Sequence, residues 1–200
     1  MAGSTRTGVV APLLIDNVST DLIIRSRDIP PRAGDDCGQH LFACWRGRSD
    51  APFVLDRPEF RAASLLLTGA NFGCGSSREA AVWALRDAGI EAIIAPSFGS
   101  IFAANCVQNQ IVPVVVPSSW IGDIAAMITA RTTIALTIDI VRSTVVLPDG
   151  RSVRFELTTV QRMLLSTGRT AIDLIRAHSR AIADFQSRDQ HRRPWIYQDR

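Results

Sequence analysis

Two hundred residues, 46% of them hydrophobic, are enough for one globular domain with a substantial core and leave room for a short tail. All 22 basic residues are arginine, which excludes Schiff-base lysines and the lysine of a P-loop. A net charge of +3, with scattered arginines and one tyrosine, argues against nucleic-acid binding; no apolar run approaches a membrane span and Met1 to Thr7 has no apolar leader core, so a cytoplasmic protein is expected.

In chain order, Val9 to Ile15 suits a first strand, and Asp16-Asn17-Val18-Ser19-Thr20-Asp21 is a cluster of turn formers before the short apolar run Leu22 to Ile24. By itself Thr20-Asp21 reads equally well as an Asx-turn. Residues 25–39 carry Pro30-Pro31, Gly34, Asp35-Asp36 and Gly38, so a surface loop without regular structure is expected. Pro52 to Phe60 reads as a connection with Phe53 and Val54 packed inward. Ala62 to Leu67 reads as a buried strand.

That strand runs into Asn71-Phe72-Gly73-Cys74-Gly75-Ser76-Ser77-Arg78-Glu79, which opens a helix from Glu79 to Ala88 with Gly89 at its C-terminal end. Gly73 and Gly75 let the backbone take positive φ and approach a ligand closely. Ser76 and Ser77 fall where an N-cap is expected, beside the free N–H groups and positive dipole end of the helix, and Arg78 adds a fork suited to a carboxylate or phosphate. A capped helix after a glycine turn, without any ligand, is the plainer reading of the same residues.

Ile90 to Ala95 is the next strand, Ser97 to Asn109 a helix and Ile111 to Val116 a further strand. This alternation predicts an α/β fold with right-handed parallel crossovers and ligands at the carboxyl ends of the strands. Ser118 or Ser119 can cap a helix to about Ala130. Ile134 to Val141, Thr144 to Leu147 and Val153 to Leu157 read as antiparallel strands, the last two paired across Pro148-Asp149-Gly150. Helices are expected over Thr159 to Ser166 and Thr170 to Gln186. The domain is therefore drawn as 1–187, with 188–200 as a charged, proline-interrupted tail.

Cys37, Cys44, Cys74 and Cys106 form no close pair, so free thiols are expected. Cys37 and Cys44 with His40 between them lack a second ligand pair, which argues against a metal centre wholly inside this chain.

The string Asn71 to Glu79, with Trp83-Ala84-Leu85, Ile94-Ala95-Pro96-Ser97-Phe98, Ile101-Phe102 and Asn105, resembles the small subunits of 3-isopropylmalate dehydratase, swivel-domain members of the aconitase superfamily. Gln39-His40-Leu41-Phe42 and Trp45-Arg46 match further landmarks. The resemblance implies one swivelling-type α/β domain with a mainly parallel sheet, flanking helices and an added antiparallel strand pair. It implies a hydro-lyase that removes and re-adds water on a hydroxy-dicarboxylate in leucine biosynthesis, active only with a large subunit that supplies a [4Fe–4S] cluster. Ser76 is then the base, as an alkoxide, which requires backbone N–H groups, the helix N-terminus and Arg78 to stabilise negative charge. Ser77, Arg78, Thr20, Asp21, Gly73 and Gly75 are carried over as substrate-binding residues.

A serine nucleophile is the competing use of Ser76, but it needs a histidine base, and His40, His178 and His191 fall in a loop, a terminal helix and the tail. Two departures from the family stand out: Ala80 replaces the histidine that follows Arg-Glu, and Arg25-Ser26-Arg27 replaces the proline, apolar pair and basic residue after Ile-Ile. They leave open a related hydro-lyase subunit for a methylmalate, dimethylmalate or homoaconitate type of substrate, or a non-catalytic paralogue that binds a large subunit.

Overall fold

The strand that organises the fold is the first, β1 (Thr5–Leu13). In the computed structural model, which describes residues 3–30, 35–46, 52–76 and 78–197, β1 lies in the middle of a seven-stranded mixed sheet. On one side it pairs in parallel with β2 (Ala63–Thr68), followed by β3 (Ala92–Ala95) and β4 (Val112–Val115), also parallel. On the other it pairs antiparallel with β5 (Ala135–Asp139), then β6 (Thr144–Val146) and β7 (Ser152–Arg154). The order is β4-β3-β2-β1-β5-β6-β7.

The two halves differ in sequence because they differ in burial. Helices cover the parallel strands, so β3 is buried at every position and Leu65, Leu66 and Leu67 of β2 are fully enclosed. β5 alternates, with Leu136 and Ile138 inward and Ala135 exposed. The antiparallel pairing also explains why β1 begins at Thr5, earlier than its apolar run: Thr5, Arg6 and Thr7 pair with Asp139, Ile138 and Thr137, and the Thr7 and Thr137 hydroxyls hydrogen-bond at 2.9 Å.

After β1 comes a single helical turn, α1 (Thr20–Ile23), capped by Ser19. Two crossover helices follow, α2 (Glu79–Asp87) after β2 and α3 (Ser100–Gln108) after β3. α2 buries Ala80, Ala81, Val82, Ala84 and Leu85, small side chains that let the helix lie close on the sheet. α4 (Ser118–Arg131) and α5 (Thr159–Thr167) complete the compact unit Met1–Gly168. Within residues 25–39 the described part includes a 3-10 turn at Ser26–Asp28, tied by the Arg25 to Asp28 ion pair at 2.5 Å; a second 3-10 turn, Gly38–His40, follows. Phe53 packs in a cluster with Phe42 and Trp45.

The second compact unit is Arg169–Arg200. In place of one helix to Gln186 it holds α6 (Ala171–Arg176) and α7 (Ser179–Arg192), separated at Ala177 and His178 by a tighter turn in which the His178 N–H bonds to Ile175 O. The 187/188 division drawn from composition falls inside α7, which stops just before Pro194. Asp189, on its last turn, accepts from Arg193 at 2.7 Å and from the Tyr197 hydroxyl at 2.9 Å.

Candidate active site

Three loops meet at the carboxyl ends of β1, β2 and β3, and hydrogen bonds fasten each to the next. Asn17 N–H donates to Ala70 O at 2.8 Å, Ala70 N–H to the Asp16 carboxylate at 2.7 Å, and Gly73 N–H to Val18 O at 2.8 Å. From the third loop, Ser97 O accepts from Phe72 N–H at 3.1 Å, and Gly99 N–H donates to Phe72 O at 2.9 Å. Phe72, Phe98 and Phe102 form an apolar floor, the Phe72 and Phe102 rings being 5.5 Å apart. Gly73 sits directly on that floor at φ +73°, where a Cβ would lie 2.1 Å from the Phe102 ring, so no other residue fits.

The loops enclose a cavity of about 210 Å³ lined by Thr20, Gly73, Cys74, Gly75, Ser76 and Arg78, by Gly99 of the third loop and by Ser100, Ile101 and Phe102 of the first turn of α3. Ser76 is exposed, Thr20 is buried, and Arg78 is partly buried with its guanidinium paired to the Asp21 carboxylate. Six expected residues, Thr20, Asp21, Gly73, Gly75, Ser76 and Arg78, are thus brought together; Ser77 lies outside the described residues.

Ser76 is not the N-cap of α2. That position belongs to Arg78, in extended conformation at φ −130° and ψ 105°, and it makes no side-chain cap bond. The turn takes one residue more than the serine pattern suggested, because Gly75, at φ +87°, carries the chain away before the helix begins. Likewise Pro117 takes the cap position expected for Ser118 or Ser119. α3 also starts uncapped by a side chain, at Gly99. Two helix N-termini with free N–H groups and positive dipole ends therefore stand at one cavity, an arrangement that favours an anion. Gly99 and Ser100 went unnoticed as site residues because the helix was expected to start at Ser97; the rule that ligands lie at carboxyl ends of parallel strands, applied to β3, points to them.

A larger depression, about 340 Å³, lies at the opposite end of β3 and β4. Its arginines are engaged within the protein, Arg6 with Gly3 and Thr5 carbonyls and Arg86 with Asp87 and Asn109, as Arg78 is with Asp21; what makes the smaller cavity the better anion site is the pair of helix N-termini beside it. No histidine is among the described residues lining the smaller cavity, which leaves a Ser76 nucleophile without its base. Ala80 is buried in α2 and outside the lining. The four cysteines are free thiols, and among the described residues no three His, Cys, Asp or Glu stand together as a metal-holding group. Among them, too, no helix is long and apolar enough to cross a membrane.

Residues 4–119 match the family model described as the aconitase C-terminal domain. The chain is 45% identical over 199 residues to the 3-isopropylmalate dehydratase small subunit of Cupriavidus necator, covering 96% of each chain. It is 38% identical to small subunit 1 of that enzyme from Bordetella pertussis, over 94% of this chain and 96% of the relative. The fold is similar to the crystal structure of 3-isopropylmalate dehydratase from Methanocaldococcus jannaschii, with a TM-score of 0.66, 24% identity, and coverage of 90% of this chain and 98% of that one. The motif around the cavity and the end-to-end match lead to one conclusion: the chain belongs to the aconitase C-terminal domain family, among the small subunits of 3-isopropylmalate dehydratases.

Proposed function

We propose that this chain is the small subunit of a two-part hydro-lyase that interconverts 2-isopropylmalate and 3-isopropylmalate by dehydration and rehydration, in leucine biosynthesis. The observation that carries this reading is the 45% identity, over 96% of each chain, to a relative of that name. The cavity supports the chemistry. A proton α to a carboxylate is weakly acidic, and its removal needs a base and a site that tolerates negative charge. Ser76 is an exposed residue of the cavity lining, and the adjacent helix N-termini offer N–H donors that would favour its alkoxide. Arg78 binds a substrate carboxylate: one guanidinium nitrogen is held by Asp21, which fixes the plane of the fork and leaves further donors for the ligand. Gly73 and Gly75 keep the wall of the cavity free of side chains.

The thiols of the described residues do not fit an iron–sulfur cluster, so the cluster associated with the aconitase superfamily is assigned to the large-subunit partner. The altered segment 25–39 favours, as a second reading, the same chemistry on another hydroxy-dicarboxylate of methylmalate, dimethylmalate or homoaconitate type.

The test is to purify the chain with its large subunit under anaerobic conditions and assay that panel of hydroxy-diacids. Isopropylmalate should be preferred. Ser76→Ala should lose roughly 100-fold to 10,000-fold in turnover with assembly intact, and Arg78→Lys should chiefly raise KM, since a point charge cannot replace the fork. Preference for another diacid selects the second reading; a Ser76→Ala complex with normal turnover removes Ser76 as the base.

A further inference from the structure

We propose that Thr20 is a positioning residue for Ser76: its N–H and its hydroxyl clamp the two carbonyls on either side of Gly75, and so set where the Ser76 hydroxyl stands in the cavity. The inference rests on Ser76 being the base.

Ser19 caps α1, accepting from Leu22 N–H, and this fixes Thr20 as the first residue of the turn. From there the Thr20 N–H donates to Cys74 O at 3.0 Å and its Oγ1–H donates to Ser76 O at 2.6 Å. Cys74 and Ser76 flank Gly75, whose φ of +87° lies in a region that glycine enters freely and leaves as freely. Among the described residues nothing in α2 does this work: its N-cap is Arg78, which makes no side-chain cap bond. Thr20 is 1% exposed, so its two donors are largely withdrawn from bulk water.

Two consequences follow for Ser76. Its main chain is pinned while its side chain remains exposed, the combination a reacting hydroxyl needs. Its carbonyl oxygen, a partial negative charge beside a side chain that must become an alkoxide, is satisfied by a proton from Thr20, which lowers the electrostatic cost of ionisation. The one hydroxyl proton of Thr20 is spent on that carbonyl, so Thr20 acts on the reaction through Ser76 and does not donate to substrate.

The experiment compares Thr20→Val, which keeps shape and N–H but removes the hydroxyl, with Thr20→Ser, which keeps both donors, each as full chain assembled with the large subunit. Thr20→Val should lower kcat about 100-fold, the scale of an ångström-sized misplacement, with KM within about threefold, and should move the rising limb of the kcat against pH profile to higher pH. Thr20→Ser should stay within about threefold of wild type with its profile unmoved. Thr20→Ala serves as a second hydroxyl-free variant. Wild-type kcat in an assembled Thr20→Val or Thr20→Ala complex overturns the proposal, as does an equal loss in Thr20→Ser. Failure of both hydroxyl-free variants to assemble makes Thr20 a residue of the fold only, and overturns it too. The two readings separate cleanly: if the wild-type complex is inactive or Ser76→Ala is active, the assignment of Ser76 falls, whereas an inactive Ser76→Ala beside a normal Thr20→Val removes only the role of Thr20.

Discussion

Gly73→Ala tests the close packing of the turn on its aromatic floor. At φ +73° an L-residue pays about 1–2 kcal/mol for the left-handed conformation. The added methyl would also stand 2.1, 2.4 and 2.6 Å from three atoms of the Phe102 ring. That ring cannot swing aside, being 3% exposed and packed on Phe72 and Phe98. The backbone cannot retreat easily either, because Gly73 N–H is bonded to Val18 O and its carbonyl lies against Gly99. Overpacking of this kind costs about 1–3 kcal/mol, which brings the total to roughly 2–5 kcal/mol against a stability on the order of 5–15 kcal/mol. Gly89→Ala supplies the control: φ is +86°, but nothing lies within 4 Å of the new methyl, so only the conformational cost remains. Urea unfolding of the two variants, followed by circular dichroism, measures the difference. Gly73→Ala should be less stable than Gly89→Ala by at least about 1 kcal/mol. Equal losses would refute the packing argument and leave the turn held by backbone conformation alone.

Burial raises the thiol pKa of Cys106, and burial followed by the nearby Asp87 and Asp36 carboxylates raises that of Cys37, so both stay as unreactive thiols in the folded protein. Alkylation near pH 8, read by mass spectrometry, should label the half-buried Cys74 and Cys44 first; labelling of Cys106 as fast as Cys74 in native protein would contradict this. In the C-terminal unit, the hydrogen bonds to Asp189 from Arg193, reinforced by Tyr197, hold its carboxyl below the ordinary 3.8. A depressed folded-state pKa means that the stabilisation is present above 3.8 and is lost as pH falls through the lower value. Amide protection over 189–197 should therefore drop on acidification, and Asp189→Asn should show the drop at neutral pH; protection unchanged in both would refute the role of this pair.

The strand and helix alternation from Ala62 to Val116 was legible because buried parallel strands are continuous apolar runs and glycine marks the turns between them. The glycine turn was legible for a related reason: Gly73 and Gly75 both take positive φ, and at Gly73 a Cβ would also collide with the Phe102 ring. Capping was less so. A serine before a helical pattern signals a cap only if the backbone turns at that residue, and at Ser76 a glycine with positive φ delays the turn. Thr20 illustrates the limit most plainly. Sequence marks it as a short polar residue in a turn, but its partners, Cys74 and Ser76, become neighbours only when β1 and β2 lie side by side. The early start of β1 was hidden in a similar way, since Thr5 to Thr7 owe their strand conformation to β5, far along the chain.

Because β1 is central in the sheet yet precedes β2 and β5 in the chain, synthesis produces the middle of the sheet before either neighbour exists. Val9 waits for Ala63 on one edge and for Ala135 on the other. Such long-range closure is slow, and a strand with an unpaired edge can recruit a strand from another molecule in the meantime. Arg6, 5% exposed in the folded protein, sits on that waiting strand between Thr5 and Thr7, and until β5 pairs there a charge on an open edge disfavours pairing between nascent chains.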